Sequence, residues 1–515
     1  MTGLQHESAI LFHNLENTTF LLDTPRSLAL AQDWKPAPPH QNQDQWSSAQ
    51  QTISARIEKS NGKSRKDEKK DDIKKKQHLL SSAPLTAPYP SSTEPKTKAA
   101  RAKVLAKMAP RERRFHVECI QPLVRHGLDV IHAGYQSGER RWCLPRRVLP
   151  DKDREPPSEG VAGAIDIDIS SVKKKRKYDG DIPCSSSLMD AVSSSRCPPV
   201  ILSSTAANTF DSVLDLDGVV RNPSSETAVL MVGGEESKSE SFSEYTVPPK
   251  SSFVLCTLPL SRPLLSPEED PIPGMTSDQQ FNLILLDPPW PNRSVRRSGH
   301  YSTQPYSEMS ALTQRLRGIL YVHSYDHTHD NAAYKQSTSM DNNAQTSGQS
   351  RQSIGAIWVT NAEKTRKAAY ESLRDAGFHV CEEWVWIKTT CDGQPISELE
   401  GLWRKPYEML VIGRKGQGGG GIDTTQTQTP TPSSEADWAG LYPAHTTKRV
   451  IAAVPDVHSR KPSLKEVMEK VFFMSSSGSV LEYSALEVFA RNLTAGWWAV
   501  GNEVLKFNAQ EWWVA

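Results

Sequence analysis

The sequence predicts an α/β fold: a doubly wound, mostly parallel sheet, preceded by a largely disordered N-terminal half that contains a small helical element. In the second half, short apolar runs alternate with amphipathic segments, which is the pattern of strands interleaved with helices. The first half is rich in Pro, Ser, Gln and Lys, and the 515 residues are only 37% hydrophobic, with a mean hydropathy of −0.55. Segments of that composition bury too little apolar surface to order themselves.

Composition divides the chain into three regions. Residues 1–110 are predicted to be mostly disordered, since they contain runs such as KSRKDEKKDDIKKK and SSAPLTAPYPSSTEPKTK. Residues 111–250 are predicted to be an accessory region with a helical element, and residues 251–515 the main domain. Within that domain, polar stretches near 321–353 and 416–437 are expected to be flexible surface insertions, because a buried loop of that composition would leave its backbone polar groups without partners.

The accessory region contains a helical pattern and a basic run. Apolar residues recur at helical spacing, with Pro122 marking a break or a start; they are Val117, Ile120, Val124, Leu128 and Ile131. Residues 173–177 read KKKRK, which resembles a nuclear-import signal, although such runs also occur as solvated charge clusters. The import interpretation predicts a protein of the nucleus, or of both nucleus and cytoplasm, that meets an import carrier.

Composition also argues against several classes of protein. The sequence has no apolar run long enough to span a membrane, and MTGLQHESAILFHNL lacks the basic start of a signal peptide. The seven cysteines form no CxxC pair and no Cys/His spacing typical of zinc, so no metal site is expected. Scattered thiols fit a reducing compartment. We therefore expect a soluble intracellular protein, monomeric and without membrane contacts.

Elements of the main domain follow from their patterns. ETAVLMVGG, SSFVLCTL, FNLILL and IGAIWVT are predicted strands, and AEKTRKAAYESLRDAGF is a predicted amphipathic helix ended by Gly377. The strands EEWVWIKTT, YEMLVIGRKG, KRVIAAVPDV and GWWAVGNEVL then alternate with LKEVMEKVF and ALEVFAR, which are predicted helices. The alternation favours parallel strands joined by helical crossovers.

The tetrapeptide DPPW, residues 287–290, directly follows the apolar run LILL. A continuous apolar run indicates a parallel strand buried on both faces, and ligands bind beyond the carboxyl ends of such strands. Asp287 is placed there. Pro288 and Pro289 have fixed φ angles and no N–H, so their carbonyls are expected to be free acceptors, and Trp290 offers a flat apolar face.

This residue set suits an exocyclic amine on a planar base. Two acceptors that hold the two amine hydrogens direct the nitrogen lone pair at an electrophile, which is catalysis by orientation and electrostatics. The carboxylate need not be a strong base, because the amine becomes acidic once it is alkylated. The plainer interpretation is a strand ended by proline with a tryptophan in the core.

The sequence resembles the DPPW-type N6-adenine methyltransferases, the MT-A70 family, over about half of the chain. The stretches that carry the resemblance are DPPWPNRSVRRSGHYS, EEWVWIKTT, RKPYEMLVIGR, HSRKPSLKEVM and LEVFARNLTAGWWAVGNEVLKF. The helical element and KKKRK are similar, more weakly, to one subgroup of the family. The resemblance implies a Rossmann-like methyltransferase sheet in circularly permuted order, with the catalytic strand before the donor-binding strand, and S-adenosyl-L-methionine as the methyl donor.

The resemblance also implies roles for individual residues. Lys461 would pair with the carboxylate of the donor's methionine, Arg491 and Asn492 would line its ribose and methionine edge, and Asn502 and Glu503 would hold the ribose hydroxyls. Asp287 would lie between the sulfonium and the target amine. The donor's adenine would contact Cys256, Thr257 and Leu258, where the family usually has an acid at the position of Thr257.

Basic and aromatic residues near DPPW predict a nucleic-acid surface. Positive charges beside the motif would neutralise phosphates, and aromatic rings would stack on bases. The predicted substrate-binding residues are Arg293, Arg296, Arg297, His300, Trp386, Arg404 and Lys405. A base that enters such a pocket must be unpaired or flipped out.

The leading hypothesis is an N6-adenine methyltransferase that acts on RNA; the resemblance implies an internal 2′-O-methyladenosine of U2 small nuclear RNA. DNA adenine is the alternative substrate, because the 2′-oxygen distinguishes the two and no residue in the sequence decides between them. A second hypothesis is a catalytically silent nucleic-acid-binding scaffold subunit, and a third is a small-molecule or protein N-methyltransferase. The presence of Asp287, Lys461 and Asn502 favours an enzyme, and the adjoining arginines favour nucleic acid.

Overall fold

A computed structural model describes residues 8–33, 78–90, 94–135, 141–149, 198–233, 242–260, 270–291, 309–325, 352–402, 404–415 and 446–514. The KKKRK run, the predicted insertion at 416–437 and most of the one at 321–353 lie outside these ranges. The predictions for them therefore remain predictions, as does the division into regions at 110 and 250. None of the helices in the described ranges is both long and apolar enough to cross a lipid bilayer.

The described residues form eighteen strands and seven α-helices. The strands are β1 (Ile10–His13), β2 (Thr19–Leu22), β3 (His78–Ser81), β4 (Arg147–Val148), β5 (Val200–Ile201), β6 (Asn208–Phe210), β7 (Val219–Arg221), β8 (Ala228–Gly233), β9 (Phe242–Val247), β10 (Ser252–Val254), β11 (Leu283–Leu286), β12 (Ser353–Val359), β13 (His379–Lys388), β14 (Tyr407–Lys415), β15 (Thr447–Ala453), β16 (Ala485–Val488), β17 (Trp498–Val500) and β18 (Trp513–Val514). The α-helices are α1 (Thr24–Ala31), α2 (Lys98–Lys107), α3 (Pro110–Arg114), α4 (Gln121–Gly134), α5 (Met309–His323), α6 (Glu363–Asp375) and α7 (Lys465–Phe472). A π-helix spans Phe115–Ile120, and 3₁₀ turns span Val213–Leu216, Lys506–Asn508 and Gln510–Trp512.

Twelve of these strands form one sheet in the order β1-β2-β15-β13-β14-β12-β11-β16-β17-β10-β7-β5. Eight strands point the same way, whereas β1, β14, β7 and β5 run against them. Two three-stranded sheets, β18-β3-β4 and β6-β8-β9, flank the large one. The predicted mostly parallel α/β sheet is confirmed, and β11 precedes β16 and β17 in the chain.

Apolar side chains cover both faces of the large sheet. On one face, α4, α5 and α6 pack against alternate residues of β11, β12, β13 and β14. On the other face, α7 packs through Val467 and Met468 against a cluster that includes Trp358, Trp384 and Trp386. Burial on both faces explains why β11 and β12 read as continuous apolar runs. The fold is therefore doubly wound.

The N-terminal segment is part of this sheet. Composition predicts disorder across residues 1–110, but β2 pairs in parallel with β15, and β1 pairs with β2 at the sheet edge. The run Phe20, Leu21 and Leu22 is fully buried. A strand of four residues is too short to show a recognisable hydrophobic periodicity, so the sequence alone does not predict β2. Its pairing with β15 is what places it in the sheet.

The helical element at 110–134 is confirmed, but with a shifted phase. Ile120, Val124, Leu128 and Ile131 are buried as the spacing predicts, whereas Val117 is 48% exposed. A π-helix has about one residue more per turn than an α-helix, so the residue that faces the core one turn before Ile120 is four positions back, not three. That residue is His116, which is 2% exposed.

His116 connects this element to the sheet. Its Nδ1 lies 2.8 Å from the Tyr407 hydroxyl and its Nε2 lies 3.1 Å from the Asn361 carbonyl. Burial, together with the nearby charges of Lys405 and Arg366, lowers the pKa of His116 to about 3. The ring is therefore neutral: Nε2 donates to the carbonyl, and Nδ1 accepts from the tyrosine at the start of β14.

ALEVFAR is a strand, not the predicted helix. Ala485–Val488 forms β16, which lies between β11 and β17 and is parallel to both. Ala, Leu and Glu favour helices when isolated, but propensity is a weak prior that a buried sheet position overrides. The predicted helix LKEVMEKVF is confirmed as α7, and AEKTRKAAYESLRDAGF as α6 with Gly377 at φ +86°.

Gly127 allows α4 to approach the sheet, and its replacement tests whether that helix belongs to the main core. A Cβ at Gly127 would lie 2.8 Å from both Cβ and Cγ1 of Val450 on β15. We expect Gly127→Ala to lower the free energy of unfolding by about 1–3 kcal/mol, as overpacking does, measured by thermal or denaturant unfolding. His126→Ala, at the adjacent exposed position, is the control; equal stability of the two variants would contradict the packing.

Candidate active site

Loops that follow parallel strands bring charged residues together at one edge of the sheet. Asp287 follows β11, Lys461 lies in the segment between β15 and α7, and Arg491 follows β16. Glu408 joins them because β14 runs the opposite way, so that its first residues reach the same edge. The carboxyl edge of a parallel sheet is where α/β proteins bind ligands.

Asp287 and Lys461 form the central ion pair. The Lys461 ammonium donates to both carboxylate oxygens of Asp287, with Nζ–Oδ1 and Nζ–Oδ2 distances of 2.9 and 2.8 Å. The two residues are 174 positions apart in the sequence, and both side chains are about four-fifths buried. Lys461 therefore pairs here with the very carboxylate that the sequence assigns to the target amine.

Lys461 has a second carboxylate partner. Its Nζ lies 3.4 Å from Oε2 of Glu408, and Glu408 also accepts from Lys388 at 2.6 Å. Burial alone would raise the pKa of Glu408, but the two lysines outweigh it and hold this pKa at about 2. Burial would lower the pKa of Lys461, and the charges of Asp287 and Glu408 instead raise it. Glu408 and Lys461 are therefore both charged at neutral pH.

Arg491 extends the chain on the other side of Asp287. Its Nη1 lies 3.9 Å from Asp287 Oδ2, and its Nε donates to Glu503 Oε2 at 3.0 Å. Lys506 pairs with the other oxygen of Glu503 at 3.0 Å. Burial would raise the pKa of Glu503, but the two cations lower it. The predicted donor-site residues Asp287, Lys461, Arg491 and Glu503 are thus brought into one network.

A cleft opens beside this network. Charged, apolar and aromatic side chains share its wall; they include Leu285, Asp287, Trp358, Lys461, Glu487, Phe489, Arg491, Asn492, Trp497 and Phe507. Apolar walls with a few convergent charges fit a cofactor with an aromatic end and an amino-acid end, as S-adenosyl-L-methionine has.

Two residues on the cleft wall have strained backbones. Ser459 has φ +66° and Phe489 has φ +63°, in the left-handed region that non-glycine residues seldom adopt. The Ser459 carbonyl accepts from Arg491 Nη1 at 3.3 Å, and Phe489 directly follows β16. Such strain persists where surrounding contacts impose it, and it concentrates at binding and catalytic sites.

Glu487 also lines the cleft, from the middle of β16. Burial, and next the charge of Asp287, raise the pKa of its carboxyl to about 8, with Lys461 and Arg491 acting in the opposite direction. Glu487 and Asp287 therefore differ in their surroundings although they face the same cleft. The sequence alone does not single out Glu487.

The DPPW segment is held rigidly, though not as the sequence predicts. The Trp290 indole N–H donates to the Trp358 carbonyl at 2.7 Å, and the ring is 9% exposed. The Pro288 carbonyl accepts the Trp290 backbone N–H at 2.8 Å, so it is not the free acceptor that was expected. An i to i+2 hydrogen bond of this kind is that of a γ-turn. The turn fixes Trp290 against β12 next to Asp287.

Trp386 is a core residue, in contrast to the predicted stacking wall. It is 3% exposed and packs edge-to-face on Trp358, with ring centroids 6.1 Å apart. Trp386 lies within β13, so its neighbours on both sides cover it. The alternation of EEWVWIKTT does not tell the cleft side from the core side, because both faces of this sheet are buried.

The other predicted residues lie at or beyond the cleft. Arg404 is exposed, and the Lys405 ammonium donates to the Gly401 carbonyl at 3.0 Å. Asn502 and Thr257 are exposed, Cys256 is half-buried, and Leu258 is buried. Since β10 and β17 are parallel neighbours, the segments that follow them leave the sheet at the same edge. Arg293, Arg296, Arg297 and His300 lie outside the described residues.

The site contains residues that sequence patterns missed. Glu408 and Glu487 lie within strands. The signal that could have identified them in the sequence is an acidic residue inside an otherwise apolar run. Trp358, Trp497 and Phe507 are aromatic residues of the cleft wall that resemble ordinary core residues in the sequence. Only the fold distinguishes them.

Comparison with known proteins gives a family match over part of the chain. The family model MT-A70 matches residues 336–503, which include β12 to β17. The protein named N6-methyladenosine RNA methyltransferase MTA1 from Pyricularia oryzae is 32% identical over 276 residues, which are 52% of this chain and 57% of that protein. Human N(6)-adenine-specific methyltransferase METTL4 is 30% identical over 299 residues, 58% of this chain and 49% of that protein.

A more distant relative is the protein named DNA N6-methyl methyltransferase from Caenorhabditis elegans, 23% identical over 229 residues, which are 44% of this chain and 46% of that protein. The chain spans about half the length of the curated relatives it matches. The predicted resemblance to the MT-A70 family is confirmed over residues 336–503, and the relatives of this chain include METTL4 and MTA1.

Proposed function

We propose that this protein transfers a methyl group from S-adenosyl-L-methionine to the N6 amine of adenine in nucleic acid, with RNA as the preferred substrate. The observation that carries the proposal is the Asp287–Lys461 pair, which lies at the carboxyl edge of the sheet, directly after β11. The names of MTA1 and METTL4, which describe adenine methyltransferases, support it. The finer proposal is 2′-O-methyladenosine of U2 small nuclear RNA.

The chain's own residues divide the work around the cleft. Each carboxylate oxygen has two lone pairs, so Asp287 can accept an amine hydrogen while it keeps its contact with Lys461. Trp290, fixed by its bond to the Trp358 carbonyl, limits where the base can lie. When bound, S-adenosyl-L-methionine supplies an electrophilic methyl group. The amine must lose one proton after transfer, and Asp287 can accept it.

The donor would be held by the network beside Asp287. Lys461 and Arg491 present cations for its carboxylate, Asn492 lies on the cleft wall, and Glu503 presents a carboxylate for the ribose hydroxyls. We extend the proposal to Asn502, Cys256, Thr257 and Leu258, which follow the neighbouring strands β17 and β10. Nuclear localisation and contact with an import carrier stay predictions from KKKRK.

Transfer of labelled methyl groups to matched RNA and DNA oligonucleotides tests the proposal. We expect label in RNA that contains an unpaired adenine, and little in the same RNA with every adenine replaced. DNA is the second candidate substrate, because the C. elegans relative is named as a DNA methyltransferase. Equal transfer to both, or none to RNA, would contradict the RNA preference. Failure to bind S-adenosyl-L-methionine would instead support a scaffold subunit.

A further inference from the structure

Glu487 differs from Asp287, Glu408 and Glu503 because its carboxyl has no ion-pair or hydrogen-bond partner within the described residues. It lies on the central strand β16, opposite Leu285 of β11 and Ala499 of β17, and it shares the cleft wall with Trp358 and Trp497. Glu487 is half-buried, and a carboxyl in that position is expected to be paired within the protein or to have a ligand to meet.

The charged groups that face Glu487 come from three segments. Asp287 follows β11, Lys461 precedes α7, and Arg491 follows β16 itself; the neighbouring position on β17 is the apolar Ala499. Burial and the adjacent Asp287 raise the pKa of Glu487 to about 8, although the two cations oppose the shift. At pH 7 the carboxyl of this state therefore holds a proton.

In the ion-pair network that connects Lys388 to Lys506, the charges are unequal without Glu487. Three carboxylates, Asp287, Glu408 and Glu503, are paired with four cations, which are Lys388, Lys461, Arg491 and Lys506. One positive charge is in excess, so a protonated Glu487 leaves a site that disfavours a cationic ligand. An ionised Glu487 makes the same site neutral.

We propose that Glu487 is the residue by which this cleft distinguishes a cationic sulfonium donor from its neutral demethylated product, and that it releases a proton to solvent when the sulfonium compound binds. The inference rests on the proposed function and specifies it. Binding converts the carboxylic acid into a carboxylate, which cancels the excess positive charge that the sulfonium would otherwise meet, and no covalent bond other than O–H is broken. The product has the same ammonium and carboxylate but no sulfonium charge, so it gains nothing from the ionised form.

The pH dependence has a defined sign. Below pH 8 the donor must displace a proton from Glu487, so its affinity rises with pH, by at most about tenfold per pH unit, and levels off above pH 8. The product, S-adenosyl-L-homocysteine, should show a much weaker dependence over the same interval. The protein should therefore prefer donor over product more strongly at pH 8 than at pH 6.

Isothermal titration calorimetry of the full chain tests this. S-adenosyl-L-methionine and S-adenosyl-L-homocysteine are each titrated at pH 7 in two buffers of different ionisation enthalpy, which yields the number of protons released. We expect close to one proton for the donor and close to none for the product. Glu487→Gln should abolish the release and weaken donor binding without weakening product binding, whereas Glu482→Gln, at an exposed carboxylate nearby, should behave as wild type.

The outcomes separate this inference from the proposed function. If both compounds bind the wild-type chain and release equal numbers of protons, Glu487 does not discriminate and only this inference fails. If neither compound binds, the assignment of the cleft as the donor site is wrong, and both proposals are contradicted. The wild-type titrations decide the matter even if the Glu487→Gln chain does not fold.

Discussion

The Asp287→Asn variant should retain its fold and its cleft but lose methyl transfer to adenine by about 10²- to 10⁴-fold, the range typical of removing a group that handles the proton in the transition state. Asparagine presents one acceptor and one donor group to the amine in place of two acceptors. It also leaves Lys461 and Arg491 without the charge that now balances them, next to the proposed donor, which is itself cationic.

Transfer of label to RNA measures the loss, and donor titration measures binding separately. Lys461 keeps its contact with Glu408 at 3.4 Å, so we expect the melting temperature to change by only a few degrees. Asp129→Asn, at an exposed position on α4, is the control for the same chemical change. Full activity of Asp287→Asn would remove the carboxylate from the proposed mechanism.

The Asp456→Ala variant should be the most destabilised, because it breaks a buried ion-pair network. Asp456 Oδ2 accepts from Arg460 at 2.8 Å, and Arg146 lies 3.9 Å from Oδ1, with all three side chains at most 1% exposed. Arg460 is held between Phe507 and Trp512, 4.3 and 4.4 Å from their ring centroids. Removing the acid leaves two cations buried and unneutralised, which typically costs about 3–5 kcal/mol.

Thermal and denaturant unfolding of Asp456→Ala and Asp129→Ala give the comparison. The control should stay near wild type, since surface substitutions away from special features usually change stability by less than about 0.5 kcal/mol. Because Arg460 directly precedes Lys461, we also expect weaker donor binding in Asp456→Ala. A variant as stable as the control would mean that water or local rearrangement compensates for the loss.

The same network gives a pH effect of known sign. Burial would raise the pKa of Asp456, but Arg460 and Arg146 together lower it. A carboxyl with a lowered pKa contributes stability above its unfolded-state pKa, and this contribution is lost as the pH falls through the folded-state value. The wild-type chain should therefore lose stability below about pH 4, and Asp456→Ala should lose less over that interval.

Much of the main domain follows from local patterns. The runs LILL and IGAIWV are buried strands, and KTRKAAYESLRDAG shows the period and the terminal glycine of a helix. The predictions of these elements are correct because hydrophobic periodicity and turn residues depend only on a few neighbouring positions in the sequence. ALEVFAR fails for the converse reason: its four strand residues have no local preference for a strand, and β11 and β17 impose one.

The sequence by itself determined the α/β class and the position of Asp287 after a buried strand, and its family resemblance pointed to Lys461, Arg491 and Glu503, because each of these depends on a contiguous motif. Only the tertiary structure decided that residues 8–33 extend the sheet, that Trp386 is covered, that Glu408 pairs with Lys461, and that Glu487 lines the cleft. Those facts depend on which distant segments lie beside one another. Burial and charge pairing arise only when the sheet assembles, so no short stretch of sequence specifies them.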